Sequence, residues 1–317
     1  MGRTKPSWLK VKMPGGSRYN RIKSRKAHLK LHTVCEEARC PNIGECWGSG
    51  TATFMVMGGI CTRGCRFCAV KTRRKGMDLD PDEPRNVAHA IAEMELDYVV
   101  LTSVDRDDLE DQGSGHFAAC IEQIRLQAPQ TMVEVLVPDF SGQEDLMRKV
   151  VVAAPDVLAH NVECVERLTP RVRDPRAGYQ QSLDMLESIK RMSPAMHTKS
   201  SLMVGLGETE PEMIQAMRDM RAVGVDFLTI GQYLQPTKKH LKVEFFVEPQ
   251  QFDRYEQLGL EMGFTYVASG PLVRSSYKAG EFFIQRHLKA QQLAAESNPL
   301  PGSIDLADIA QSLEIGS

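Results

Sequence analysis

Between residues 53 and 262 the chain alternates six times between a short apolar run and a longer stretch with helical spacing, and this alternation limits the possible folds most sharply. The runs are 53–58, 97–103, 132–137, 157–162, 198–204 and 226–231. Most are apolar at consecutive positions, as strands buried on both faces should be. The stretches that follow are 84–96, 116–126, 144–152, 179–192, 211–223 and 250–262. The first has Pro84 at a first-turn position and sets Val87, Ile91 and Met94 near one face. Six β-α units in succession predict an α/β fold around a parallel sheet. That falls short of the standard eight, so the expected architecture is a partial (β/α)6 TIM-like barrel, its open mouth covered by N-terminal and C-terminal extensions. A doubly wound open sheet is the alternative, although no G-x-G-x-x-G follows a strand to give it a dinucleotide site.

Six of the eight cysteines crowd into residues 35–68 as two triplets. Cys35, Cys40 and Cys46 are spaced C-x4-C-x5-C, and Cys61, Cys65 and Cys68 are spaced C-x3-C-x2-C directly after the first predicted strand. No secretory signal opens the chain, and no apolar run approaches the length of about 20 residues that spans a bilayer. The sequence therefore predicts a cytoplasmic enzyme with no membrane partner, and cysteines that ligate metal rather than pair as disulfides. With 42% hydrophobic residues, 25% charged residues and a formal net charge of -2, nothing suggests a nucleic-acid partner. Thiolates are soft ligands suited to zinc or to cluster iron. A structural zinc asks for four closed ligands, and each triplet offers three. A four-iron cluster held by three cysteines keeps one iron open to a further ligand.

The second triplet, with Phe67 just before its last cysteine and a strand just upstream, resembles the cluster motif of the radical S-adenosylmethionine (SAM) enzymes. That resemblance implies a [4Fe-4S] cluster on Cys61, Cys65 and Cys68. Its open iron takes the amino and carboxylate groups of SAM, and an electron from the cluster cleaves the sulfonium to a 5'-deoxyadenosyl radical. The first triplet, inside Arg39-Cys-Pro-Asn-Ile-Gly-Glu-Cys-Trp47, is similar to the lipoyl synthase family. So are Val99-Val-Leu-Thr-Ser-Val-Asp-Arg-Asp-Asp108, His160-Asn-Val-Glu163, Leu168-Thr-Pro-Arg-Val-Arg-Asp174, Gly231-Gln-Tyr-Leu-Gln-Pro236 and Arg274-Ser-Ser-Tyr277, which together span nearly the whole chain.

The family resemblance implies a second, auxiliary [4Fe-4S] cluster on Cys35, Cys40 and Cys46, completed by a serine of the Arg274-Ser-Ser-Tyr277 motif. Spacing does not choose between Ser275 and Ser276; the resemblance favours Ser276. The implied reaction inserts sulfur at C6 and C8 of a protein-bound octanoyl-lysine, with the auxiliary cluster as sulfur donor and two SAM molecules consumed per product. Unactivated C–H bonds offer no acidity, so the hard step belongs to the cofactor and the protein positions it. The implied partners are octanoylated lipoyl carrier domains of 2-oxoacid dehydrogenase complexes or the glycine-cleavage carrier protein, an electron donor such as flavodoxin or ferredoxin, and an iron-sulfur carrier. The competing function is a radical SAM enzyme whose auxiliary cluster transfers electrons or binds substrate. A zinc-stabilised binding protein is the reading from a different class.

Several residues are candidates for holding SAM. Phe67 belongs to the cluster motif. Ser103, at the end of the second strand, stands where many relatives carry Gly-Gly-Glu, with Asp105 nearby. Asn161 and Glu163 fall on one side if the fourth strand continues through them, by period two. Arg171 and Arg173 follow, Arg173 being the favoured partner for the cofactor carboxylate. Glu208 sits in a stretch similar to a family element near the adenine, but Ser201 and Met203 depart from that pattern. His240 is placed by resemblance near the barrel mouth, or else on a surface loop. Cys120 and Cys164 are expected to be small buried residues.

The expected organisation is a basic N-terminal extension at 1–52 with the auxiliary cysteines, the partial barrel at 53–262, and a C-terminal extension at 263–317 with the Arg-Ser-Ser-Tyr motif. Residues 1–34 carry ten Lys or Arg and no Asp or Glu. Such a block is either a solvated arm or a dock for an acidic carrier domain. Its composition also resembles an organelle transit peptide, against which stand its few serines and its Pro14-Gly-Gly16.

Overall fold

Where β-branched and other apolar residues follow one another the chain extends, and where Pro or a capping pair fixes the first turn it coils. In the computed structural model this holds along residues 6–9, 15–16, 19–20, 23–24, 32–37, 40, 42–48, 53–94, 96, 98–276 and 290, which are the residues it describes. By their contacts residues 1–281 form one compact unit and residues 282–317 another. Most of the basic arm, Tyr277, and all of the expected C-terminal helix and tail except residue 290 lie outside the described residues.

The strands are β1 (His32–Thr33), β2 (Thr53–Val56), β3 (Ile60–Cys61), β4 (Lys71–Thr72), β5 (Tyr98–Ser103), β6 (Met132–Leu136), β7 (Val157–Ala159), β8 (His197–Val204), β9 (Phe227–Gln232) and β10 (Tyr266–Gly270). The helices are α1 (Val34–Glu37), α2 (Ile43–Gly48), α3 (Glu83–Glu93), α4 (Ser114–Gln127), α5 (Glu144–Val152), α6 (Thr169–Val172), α7 (Tyr179–Met192), α8 (Glu210–Ala222) and α9 (Pro249–Glu261). Pro84 and Pro249 sit in the first turns of α3 and α9, where a missing N–H is harmless. A capping box of Thr209 and Glu212 starts α8.

One eight-stranded sheet runs in the order β1-β2-β5-β6-β7-β8-β9-β10. From β2 to β10 every neighbouring pair is parallel, the register that a helical crossover between strands imposes. The six expected β-α units are present, and β10 adds a seventh parallel strand beside β9. At the other edge β1 pairs antiparallel with β2, His32 opposite Met55. Thus the segment just before Cys35 is stitched to the sheet edge. Among the described residues the two edges, β1 and β10, do not pair with each other, so the barrel stays open.

Two apolar layers lie under the helices. Val99, Leu101, Val133, Val135 and Leu158 face Ile91, Phe117, Ile121 and Met147 in the first. Leu202, Val204, Leu228, Ile230 and Val267 face Leu186, Met213, Met217 and Phe252 in the second. Each such side chain contributes about 1.5–3 kcal/mol by burial. Cys120 and Cys164 are buried among them, at 0% and 1% exposure, as expected of small apolar residues. Because strand side chains alternate, Tyr98, Glu134 and Lys199 point to the opposite, inner face. There the Lys199 ammonium bonds both Glu134 carboxylate oxygens at 2.8 Å, and Tyr98 donates to the same carboxylate at 2.5 Å.

One expected strand is shorter than its apolar run. β7 ends at Ala159 rather than continuing to Val162. The His160 side chain meets Ser182 of α7, and Glu163 takes a left-handed backbone with φ 72° before meeting Leu202 in an isolated bridge.

Candidate active site

The second cysteine triplet follows β2, where parallel barrels place their chemistry. Cys61 closes β3, and the loop to Cys68 is folded by contacts from three βα connections. Asp105 and Asp107 come from the connection after β5, Asp139 from that after β6, and Asp174 and Arg176 from that after β7. Buried between them is Arg63, at 3% exposure. Its guanidinium bonds Asp139 at 2.8 Å and Asp107 at 2.7 Å, with Asp105 at 3.4 Å. Burial opposes charge on these groups, but Arg63 nevertheless holds Asp107 and Asp139 below the usual carboxylate range. Thr62 donates to Asp107 at 2.7 Å, and the Gly64 amide donates to Asp174 at 2.7 Å. Arg176 bridges Asp174 and Asp107 and reaches the Thr62 carbonyl at 2.7 Å. All three residues between Cys61 and Cys65 are therefore pinned.

The thiols share one neighbourhood. Burial raises all three, and the Asp105 carboxylate pushes each of them the same way, Cys65 to about 12 and Cys68 to about 11. Backbone amides already point at the sulfurs: Arg63 N–H at Cys61 Sγ, 3.4 Å, and Asp174 N–H at Cys65 Sγ, 3.3 Å. N–H···S bonds of this kind stabilise thiolates on cluster iron, and iron would supply the positive charge that these buried thiols lack. Among the described residues no three His, Cys, Asp or Glu side chains converge as a single-ion site. A cluster spreads its thiolates over separate irons, so three soft donors in one loop fit it well.

Of the candidate SAM residues, Glu163, Arg173 and His240 are tied to this loop. Asn161 Nδ2 donates to Glu163 Oε1 at 3.0 Å, so the two do meet, but through the turn after β7 and not by strand alternation. Burial raises the Glu163 carboxyl, and its charge in turn raises Cys68. Arg173 lies near Cys65 and is buried at 7% exposure. It donates to Ser182 Oγ at 2.7 Å, and Ser182 sits 2.9 Å from His160 Nε2. His160 Nδ1 lies 2.9 Å from the Val137 carbonyl, which only accepts; Nδ1 therefore carries the proton, and Nε2 is left as an acceptor facing Ser182 Oγ, whose single proton is shared between it and the Gly178 carbonyl at 3.0 Å. Arg171 pairs instead with Glu244, at 2.6 Å on the surface. Ser103 donates to the Val104 carbonyl at 2.9 Å at the end of β5. Phe67 packs on the second apolar layer. Glu208 accepts from the Leu206 amide at 2.9 Å, and so folds its own glycine turn. His240 Nε2 lies 2.8 Å from the Cys68 carbonyl, beside the ligand loop rather than out on a free surface loop.

The first triplet lies elsewhere. Cys46 is buried beside Trp47, which Tyr19 covers at 5.1 Å between ring centroids. Cys35 is the second residue of α1, but its side chain is outside the described residues. Asn42, two residues after Cys40, donates to the Leu272 carbonyl at 2.7 Å. Burial raises the Cys40 thiol, and the charge of Arg274 opposes that rise. Hence the Cys40 segment and the Arg274-Ser275-Ser276 loop are neighbours although some 230 residues separate Asn42 from Leu272. That loop is seated on Gly231 in β9, where an added Cβ would stand 2.1 Å from the Val273 carbonyl oxygen.

Sequence reasoning missed Thr62, Arg63, Asp107, Asp139 and Arg176 as parts of the site, and Asn42 and Gly231 as its seam. A signal was present after β5 and β6, whose ends Asp105 and Asp139 follow within three residues, but not after β7, where Asp174 stands well past the strand end. Among the described residues no helix is long and apolar enough to cross a membrane.

Comparisons with known proteins agree with this geometry. Residues 55–220 match the radical SAM superfamily model, and residues 2–40 match the N-terminal domain of lipoyl synthase of the radical SAM family. Lipoyl synthase, mitochondrial, from Culex quinquefasciatus is 59% identical over 295 residues, covering 92% of this chain and 78% of that one. Lipoyl synthase from Anaeromyxobacter sp. (strain Fw109-5) is 57% identical over 287 residues, covering 90% of this chain and 97% of that one. Among solved structures, the [FeFe]-hydrogenase maturase HydG superposes with a TM-score of 0.54 at 13% identity, over 67% of this chain and 50% of that chain. Methylornithine synthase (PylB) superposes with a TM-score of 0.50 at 12% identity, over 88% and 94%. These two share the open α/β barrel. With more than half the sequence identical to enzymes that it covers for over three quarters of their length, the chain belongs to the lipoyl synthase family of the radical SAM superfamily.

Proposed function

We propose that this radical SAM lipoyl synthase divides its cysteines between two [4Fe-4S] clusters with separate tasks. Cys61, Cys65 and Cys68 hold one as the SAM site. Cys35, Cys40, Cys46 and Ser276 hold the other, a substrate of the reaction, because its sulfide enters C6 and C8 of the octanoyl-lysine. SAM bound at a reduced cluster supplies radical chemistry that removes hydrogen from unactivated carbon.

The chain's own residues do the rest. The Arg63 clamp fixes the ligand loop, and the amides of Arg63 and Asp174 stabilise its thiolates. Asn161 and Glu163 take the ribose hydroxyls of SAM, Ser103 accepts from its amino group, and Phe67 lines one face of the site. Arg173 holds the floor behind them through Ser182 and offers positive charge to the cofactor carboxylate. Ser276 brings a hard oxygen to soft iron, a ligand bond suited to opening when sulfide leaves. The two extensions, 1–52 and 263–317, complete the barrel domain at 53–262 by carrying the auxiliary ligands to it. The substrates are octanoylated lipoyl domains, from 2-oxoacid dehydrogenase complexes or the glycine-cleavage carrier protein. A flavodoxin or ferredoxin supplies electrons, an iron-sulfur carrier restores the consumed cluster, and the compartment proposed is the cytoplasm.

One observation carries this reading: Asn42, between Cys40 and Cys46, is bonded to Leu272, three residues before Ser275, while Cys61, Cys65 and Cys68 share one loop. Reconstituted protein should bind about eight irons, and Cys40→Ala about four, with SAM cleavage retained. A full iron complement in Cys40→Ala would contradict the assignment. An auxiliary cluster that survives turnover would favour electron transfer or substrate binding instead.

A further inference from the structure

The loop from Cys61 to Cys68 is flanked by exposed positive charge that neither cluster site uses. Lys71, Arg73 and Arg74 lie just past Cys68, and all are exposed. They are tied to the start of the loop: Lys71–Thr72 pairs with Ile60–Cys61, and the Arg73 amide donates to the Cys61 carbonyl at 3.0 Å. Lys238 and Lys239, also exposed, are tied to its end, because His240 bonds the Cys68 carbonyl and the Leu241 amide donates to the Arg66 carbonyl at 3.2 Å. Arg66 itself is exposed between the two segments. Among the described residues none of Lys71, Arg73, Arg74, Lys238 and Lys239 forms an ion pair, whereas Lys75, next in line, pairs with Asp78 at 3.2 Å.

Unpaired like charges held close together repel one another, and the arrangement is relieved only by an opposing negative surface or by salt. The position identifies that surface. SAM and the octanoyl chain also have to reach this site, because the radical formed there must meet C6 and C8, but the carrier domain stays a lysine-arm length away from the loop. An electron has to be handed over beside the loop itself, from a one-electron donor to the cluster bound at Cys61, Cys65 and Cys68. We propose that Arg66, Lys71, Arg73, Arg74, Lys238 and Lys239 form the docking surface for an acidic electron-donor protein. The proposal rests on the assignment of the SAM-site cluster to Cys61, Cys65 and Cys68, and it adds the surface through which that cluster is reduced.

The test compares two reductants in the full-length reconstituted enzyme. In Lys71→Glu/Arg73→Glu/Arg74→Glu, SAM cleavage driven by reduced flavodoxin at low salt should fall at least about tenfold and lose its salt dependence. Cleavage driven by dithionite, the iron content, and the KM for an octanoylated lipoyl domain should stay as in the parent. Arg148→Glu/Lys149→Glu, exposed on α5, is the remote control and should leave the flavodoxin rate unchanged. An unchanged flavodoxin rate in the triple variant overturns the proposal. So does an equal loss with both reductants, which would make the patch structural, or a raised KM for the lipoyl domain, which would make it the carrier's dock. Failure of the parent to cleave SAM with dithionite would instead refute the cluster assignment on which the proposal depends.

Discussion

The loop carrying Cys61, Cys65 and Cys68 is gripped by Asp105, Asp107, Asp139, Asp174 and Arg176, drawn from three βα connections onto Arg63 and the backbone beside it. The segment carrying Cys40 and Cys46 is joined to the barrel end differently. A side-chain amide on a carbonyl, Asn42 to Leu272, bridges segments 230 residues apart, and a close backbone approach at Gly231 seats the far side. One site is set by buried charge pairs, the other by a seam. Under the proposed function the difference follows from use: a cofactor site must return to one geometry after every SAM, whereas a cluster consumed as substrate has to be released and replaced.

The strongest way to break the contrast is to empty the clamp. Arg63→Met leaves Asp139 buried without its charge partner and takes from Asp107 one of its two arginines, which destabilises by about 3–5 kcal/mol. Denaturant unfolding of the apo-protein should show that loss, and SAM cleavage should disappear with it. A variant as stable as its parent would mean that the network carries no weight.

A smaller effect is expected on the seam. In Gly231→Ala the new methyl meets the Val273 carbonyl, and relieving that clash costs about 1–3 kcal/mol. The displaced Arg274-Ser275-Ser276 loop should take auxiliary iron with it, roughly half of the total, while SAM cleavage persists. Loss of both activities together would show that the two sites are not separable.

The gentlest probe is acid. Burial, aided by Arg173, lowers His160 to about 4, whereas an unfolded histidine titrates near 6.5. The native state therefore holds His160 neutral. Its contribution is complete above the unfolded value and is lost as pH falls toward the folded one, about 2 kcal/mol by pH 5. The raised carboxyls of Asp105, Glu163 and Glu208 slope the other way, so the slope is read by difference. His160→Asn should flatten the fall in stability from pH 7 to pH 5. Parallel curves would remove His160 from the floor of the site.

The sequence shows the framework because strands and helices leave periods of two and 3.6 in the apolar pattern, which residues such as Val99 and Leu101 or Val87 and Ile91 display locally. Cysteine spacing is equally local. Arg63 is different: flanked by Thr62 and Gly64 it reads as a solvated loop residue, and its partners Asp107 and Asp139 stand 44 and 76 residues away. Period two failed at Glu163, because a left-handed backbone there replaces strand geometry. Gly231 reads as an ordinary strand end, since nothing in a sequence marks which backbone will pass over a bare Cα.

The central claim, that the two triplets hold a catalyst and a reagent, is tested most directly by one isotope experiment. Enzyme whose clusters are built with 34S-sulfide is given one turnover on an octanoylated lipoyl domain in unlabelled buffer, and product mass and remaining iron are measured together. The account predicts a lipoyl group with both sulfurs labelled, and iron falling from about eight toward about four. Unlabelled sulfur in the product, or a full iron complement after turnover, would contradict it.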